Sequence, residues 1–181
     1  TTAQIDAGTA ASGLQPLSGT ATCGVEVRYL QYSTRAPGGD GARASEAVLV
    51  PTGSSAACSG DRPVLLYAHG TAFNKSKNMA LVSTDSEASL LMAMYAAQGF
   101  IVVAPNYLGY DGTLDWHPWL NAEAQAIDMI DGLRAAKAHL AAAGGTKASA
   151  KLLITGYSQG GHVAMATHRA LERDYGGEFT V

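Results

Sequence analysis

The sequence predicts an α/β fold built on a mostly parallel sheet with helices on both faces. Three observations predict it. Residues 64–68, 100–104 and 152–154 are short continuous apolar runs, the mark of strands buried on both faces. Helix-length amphipathic segments separate these runs, so each strand returns through a crossover. Two alternating segments precede them and read as an antiparallel pair at one side.

The elements follow in order. Residues 1–20 are rich in Ala, Gly, Ser and Thr without a clear period, and are expected to form a surface arm. In residues 23–34, Val25, Val27 and Tyr29 alternate with Glu26, Arg28 and Leu30, which is a strand signal. Gly38 to Gly41 is a turn, residues 46–51 are a second strand, and residues 53–63 are a polar loop. The run at 64–68 ends in His69-Gly70-Thr71. A helix is expected next, with Thr84 and Glu87 at capping-box spacing, Leu90, Leu91 and Met94 as its apolar stripe, and Gly99 as its C-terminal stop.

Pro105 stops the strand at 100–104, and residues 106–119 form a loop rich in Gly and aromatic residues. Residues 120–143 carry Leu120, Ile127, Ile130, Leu133 and Leu140 at helical steps, ended by Gly144-Gly145. The run at 152–154 leads directly into Gly156-Tyr157-Ser158-Gln159-Gly160, and a last helix buries Val163, Ala166, Ala170 and Leu171. No internal repeat or second domain is visible, so residues 1–181 read as one domain.

Composition narrows the function classes. With 181 residues and 47% hydrophobic residues, the chain can build a core and is not a disordered polymer. A net charge of -3 gives no footprint for nucleic acid. No uninterrupted apolar run approaches the about 18 residues of a membrane span. Cys23 and Cys58 are the two cysteines, with no zinc-type spacing around them. Both flanks read as exposed loop, so a disulfide is expected over the alternative of two unpaired thiols. Such a bridge implies an oxidising compartment, hence a secreted or periplasmic protein.

The chemistry concentrates at residues 156–160. The pattern G-x-S-x-G stands directly after a buried strand and directly before a helix. A nucleophilic serine needs that sharp turn to raise its Oγ above the sheet edge. Gly156 and Gly160 give the turn room where a Cβ would collide. The helix N-terminus behind Ser158 offers unpaired N–H groups and a positive dipole end, and the Gln159 N–H is placed for an oxyanion.

On these residues the chain resembles the α/β-hydrolase superfamily. Within it, the chain is most similar to secretory (lipase A-like) lipases and esterases. The likeness rests on His69-Gly70-Thr71, on residues 104–110 (APNYLGY), on His117-Pro118-Trp119-Leu120 with Ala122-Glu123-Ala124, and on the turn at 156–160. The resemblance implies Ser158 as nucleophile of a carboxylic ester hydrolase, with oxyanion donors from the backbone N–H of Gln159 and of Thr71. It implies His69 as a structural residue of its turn, and no cofactor. A serine peptidase or acyltransferase on the same scaffold, and a binding relative without catalysis, are the alternatives.

The family's chain order is serine, acid, histidine. After Ser158 the acids are Glu172, Asp174 and Glu178 and the imidazoles are His162 and His168, all but Glu178 on the last helix. The sequence therefore lacks the family's last strands, its acid and its base. Phe179-Thr180-Val181 looks like the start of a further strand. A second chain completing a split hydrolase, a shortened chain and an inactive relative are the three explanations, and a missing C-terminal portion is favoured.

Weaker candidates complete the reading. Asp111, Asp115 and His117 cluster before the long helix without a defined ligand spacing, so helix capping is preferred over a metal site. Tyr107, Tyr110, Trp116 and Trp119 admit two readings of equal weight, the lining of a substrate pocket or packing beneath a long loop. Asp128, Asp131 and Arg134 are expected on a solvated helix face. Met92, Met94 and Met165 are expected in the core, and His139 at the surface near a helix C-terminus.

Overall fold

A computed structural model describes residues 1–179; Thr180 and Val181, the end of the expected further strand, lie outside the described residues. Five strands form one sheet in the order β1-β2-β4-β3-β5. They are β1 Gly24–Arg35, β2 Gly41–Thr52, β3 Asp61–Ala68, β4 Ile101–Pro105 and β5 Lys147–Gly156. β1 and β2 pair antiparallel, and β2 joins β4 antiparallel. β4, β3 and β5 run parallel. This mixed sheet, three parallel strands with an antiparallel pair at one side, is the α/β layout that the apolar runs and their crossovers predict, and it matches the α/β-hydrolase-like fold that the resemblance implied.

The three inner strands are buried on both faces because alternate residues serve two cores. Val48, Val50, Val64, Leu66, Ile101 and Val103 face the helices α4 (Ala122–Ala143) and α5 (Gln159–Asp174). Ala47, Leu49, Leu65, Tyr67, Val102 and Ala104 face α3 (Ser86–Met94) on the other side. Each fully buried Val, Leu or Ile contributes about 1.5–3 kcal/mol, so the two cores together fix the sheet's layers.

Five details depart from the sequence reading. Residues 1–20 are not an irregular arm: α1 (Thr2–Ser12) opens on a capping box between Thr1 and Gln4, and α2 (Gln15–Ser18) follows. The pattern is faint because α1 buries only Ile5 and Thr9, with Ile5 set against Ala93 and Ala97. The cap of α3 is Asp85, whose carboxylate accepts from the Ala88 N–H, not Thr84. Glu87 is thereby freed for another task.

The cap of α4 is Asn121, which accepts from the Ala124 N–H, so neither Asp115 nor His117 caps that helix. Asp128 does not lie on a solvated face. It is 1% exposed, accepting from the Tyr32 hydroxyl and the Leu108 N–H. Asp131 and Arg134 do pair at the surface, with Arg134 also gripping Glu178. Met165 is exposed, where core packing was expected.

Cys23 and Cys58 form the expected disulfide. It ties the start of β1 to the loop between β2 and β3 across 35 residues. A loop of that length corresponds to about 4 kcal/mol in the chain-entropy picture.

Candidate active site at the turn between β5 and α5

β5 ends at Gly156 and α5 begins at Gln159, so only Tyr157 and Ser158 make the reversal. Ser158 adopts φ 54 and ψ -117, a conformation that side-chain-bearing residues rarely hold. Its side chain makes no capping bond to α5 and stands exposed. The two glycines let the turn close. A Cβ on Gly160 would overlap the Ala68 carbonyl oxygen and lie 2.8 Å from the His69 oxygen. A Cβ on Gly156 would overlap the carbonyl of Gly160.

This packing sets the turn against the end of β3. There His69, Gly70 and Thr71 leave the sheet, and a Cβ on Gly70 would sit 2.9 Å from the Tyr157 ring. The backbone N–H groups of Thr71 and Gln159, the two expected oxyanion donors, have no acceptor among the described residues. Thr71 is exposed, while the Gln159 side chain is buried.

Side chains to which the sequence reading gave no role at this site hold the Thr71 loop. Glu87 Oε1 accepts from the Gly70 N–H at 2.9 Å and from the Tyr67 hydroxyl at 2.8 Å. Its other oxygen pairs with Lys77, which also meets Asp85 at 2.7 Å. Burial and the Glu87 bond push the Tyr67 hydroxyl far above its ordinary pKa, so it is a permanent donor.

Asn106 anchors the same region. Its amide accepts from the Met79 N–H and donates to Ser45, and its carbonyl lies 3.0 Å from His69 Nε2. His69 is fully buried, with Nδ1 2.6 Å from the Gly70 carbonyl. Burial holds its pKa below the ordinary range. It is a structural part of the loop, as the resemblance implied.

The four aromatic residues for which pocket lining and packing stood as equal readings divide into two pairs. Tyr107 and Tyr110 are 0% and 4% exposed and pack beneath the loop. Their hydroxyls donate to the carbonyls of His69 and Ala72, one on each side of Thr71. Trp116 and Trp119 are exposed, as are Phe73 and Tyr157. An open hollow of about 610 Å³ lies beside Gly156 and Tyr157, walled by Tyr67, Leu90 and Met94.

Asp111 and His117 do not converge. Asp111 accepts from Tyr29, Ser45 and Asn78, binding three segments together. His117 sits in the ring cluster, 4.6 Å from Tyr110, with Nδ1 donating to the Leu108 carbonyl at 2.7 Å. Its Nε2 lies 2.7 Å from the Gln159 side-chain nitrogen. No group of three His, Cys, Asp or Glu among the described residues has the arrangement of a metal site.

None of the five imidazoles is set up as the base for Ser158. His69 and His117 have both ring nitrogens engaged. His168 faces Glu172 along α5, His162 lies one turn beyond Ser158, and His139 is near the end of α4.

Comparison with known proteins agrees with this layout. The sequence model of the secretory lipase family matches residues 74–181. No curated protein sequence matches. Among solved structures, the rice cell wall degrading esterase LipA from Xanthomonas oryzae shares 35% identity at a TM-score of 0.86. The alignment covers 99% of this chain and 44% of LipA. A Legionella pneumophila protein described as a hydrolase shares 26% identity at a TM-score of 0.84, over 98% of this chain and 47% of its own. Candida antarctica lipase A shares the fold, with a TM-score of 0.61 at 16% identity over 86% of this chain and 36% of its own. The chain thus spans less than half the length of these structures.

Proposed function

Because the chain belongs to the secretory lipase family, we propose that residues 1–181 form one domain that bears the nucleophile of a secreted serine carboxylic ester hydrolase. The observation that carries this reading is the backbone of Ser158, φ 54 and ψ -117, held between two glycines that cannot accept a Cβ. A strained serine at a strand-to-helix turn is retained where the strain aims its hydroxyl.

In this mechanism Ser158 Oγ attacks the ester carbonyl carbon. Its proton passes to an imidazole supplied from outside these residues, on the same or a second polypeptide, with a carboxylate to orient it. The carbonyl oxygen becomes an anion and takes hydrogen bonds from the N–H groups of Gln159 and Thr71, which have no other acceptor among the described residues. Collapse expels the alcohol, which takes the proton from the imidazole, and leaves an acyl group on Ser158. Water, deprotonated by the same imidazole, then releases the acid and restores the serine. No step requires a cofactor. The disulfide supports an oxidising, extracellular destination.

The test is reaction of the full-length protein with a fluorophosphonate, followed by peptide mapping. One adduct on the peptide containing Ser158 is expected, together with turnover of a p-nitrophenyl ester. Ser158→Ala should lose the adduct and lower kcat by about 10⁴-fold or more. An adduct on another serine, or ester turnover that survives Ser158→Ala, overturns the assignment.

A further inference from the structure

We propose that His117 is a positioning residue for catalysis, holding Gln159 so that its backbone N–H points at the oxyanion. The inference rests on the function proposed above.

The tautomer follows from the contacts. A carbonyl oxygen only accepts, so His117 Nδ1, 2.7 Å from the Leu108 oxygen, carries the hydrogen. The ring is neutral, because burial lowers its pKa more than the Leu108 bond raises it. Nε2 is therefore a lone pair. The Gln159 side-chain amide donates to it at 2.7 Å, and the Gln125 amide approaches it at 3.4 Å.

Both amides make this contact at a cost. The carbonyl oxygens of Gln125 and Gln159 are buried without a partner among the described residues. Two buried glutamines are thus turned toward one imidazole rather than toward separate partners. For Gln159 the consequence reaches the site. Ser158 gives α5 no side-chain cap, so the first turn of the helix lacks the usual anchor. The bond to His117 supplies one, at the residue whose N–H is the proposed donor.

His117 is itself fixed from three sides. Its ring lies 4.6 Å from Tyr110 and stacks at 5.7 Å with Tyr107. The same tyrosines hold the carbonyls flanking Thr71. Behind it, the Leu108 N–H is bonded to buried Asp128 at 3.0 Å. His117 therefore joins the loop that carries one donor to the helix that carries the other.

The experiment compares His117→Phe, Gln159→Leu and the double variant in the full-length protein, reading kcat, KM and thermal unfolding. Phe keeps a ring between the tyrosines and removes the acceptor. His117→Phe should lower kcat about 10- to 100-fold with KM within about twofold, since a donor displaced by a fraction of an ångström fails mainly in the transition state. Gln159→Leu keeps the backbone N–H and should show the same loss. The double variant should lose no more than either single one. His117→Gln, which offers an oxygen in the same direction, should recover part of kcat. A wild-type kcat in His117→Phe, or losses that multiply in the double variant, overturns the proposal. Should His117→Phe fail to fold, an unchanged kcat in Gln159→Leu overturns it alone. Failure of the wild type to take a fluorophosphonate on Ser158 instead overturns the underlying function.

Discussion

The loop that carries Thr71 and the turn that carries Gln159 end at the same place but are held by different means. The Thr71 loop has no regular structure, so its backbone cannot hold itself. Side chains hold it: Glu87 at the Gly70 N–H, Tyr107 at the His69 carbonyl and Tyr110 at the Ala72 carbonyl. The Gln159 turn is held by close backbone contact between Gly156, Gly160 and Ala68, with one side-chain tether to His117. A loop stabilised by several separate bonds weakens gradually as they are removed. A turn stabilised by the absence of two Cβ atoms fails at once when an atom is added.

The largest effect should come from breaking the turn. Gly160→Ala places a Cβ over the Ala68 carbonyl, which belongs to a buried strand and cannot withdraw. We expect kcat to fall by about 10³-fold or more and stability by about 1–3 kcal/mol, measured by ester turnover and thermal unfolding. Near-normal activity in this variant would mean that the turn tolerates displacement and that the contrast with the loop is false.

A smaller effect should follow in the loop. Glu87→Ala removes the acceptor for both the Gly70 N–H and the Tyr67 hydroxyl, while Tyr107 and Tyr110 stay in place. A kcat loss of about 10- to 100-fold is expected, from misplacement of one proposed donor. Glu87→Gln keeps an accepting oxygen and loses the ion pair with Lys77. Its kcat should lie within about threefold of wild type, because Lys77 keeps its shorter ion pair with Asp85. If Gln is as damaging as Ala, charge rather than the hydrogen bond holds the loop.

The two regions also differ in how much of them the sequence discloses. The turn is a local pattern, G-x-S-x-G between a buried run and a helix, and its strain follows from adjacent residues. The Thr71 loop is held by residues 16 to 39 positions away, and no local period marks them. Glu87 was legible only as a helix-start acid, and its role became visible once Asp85 took the cap. Tyr107 and Tyr110 announced themselves as aromatic but not which side of the loop they face. Asp128 was misread because charge usually means solvent. The contrary signal was its spacing with Gln125 and Gly132, which share its face of α4 and are buried with it. The sheet, by contrast, was legible because alternate burial on two faces leaves continuous apolar runs.

The last prediction sharpens the comparison with a change that should touch neither region. Glu46 lies on β2 facing α4, fully buried, and neither carboxyl oxygen has a hydrogen-bond partner among the described residues. A Cβ on Gly132 would come within 2.6 Å of it, so α4 packs its backbone directly against this acid. Burial raises the Glu46 pKa well above the carboxylate range, and the nearby Asp128, itself raised to about 7 by burial, adds to it. The sign follows from proton binding. The folded chain holds a proton on Glu46 that the unfolded chain releases above about pH 4, so stability falls as pH rises from there. Asp128 contributes the same slope up to about pH 7. Glu46→Gln removes the first contribution and leaves the second. Thermal unfolding from pH 4 to 9 should show the variant gaining on wild type as pH rises, with the two close together at the acid end. Its kcat at neutral pH should stay within about twofold of wild type, since no bond of Glu46 reaches either proposed donor. Parallel pH profiles would mean that Glu46 finds a partner in solution. A large loss of kcat would mean that the sheet beneath the site is coupled to the turn above it.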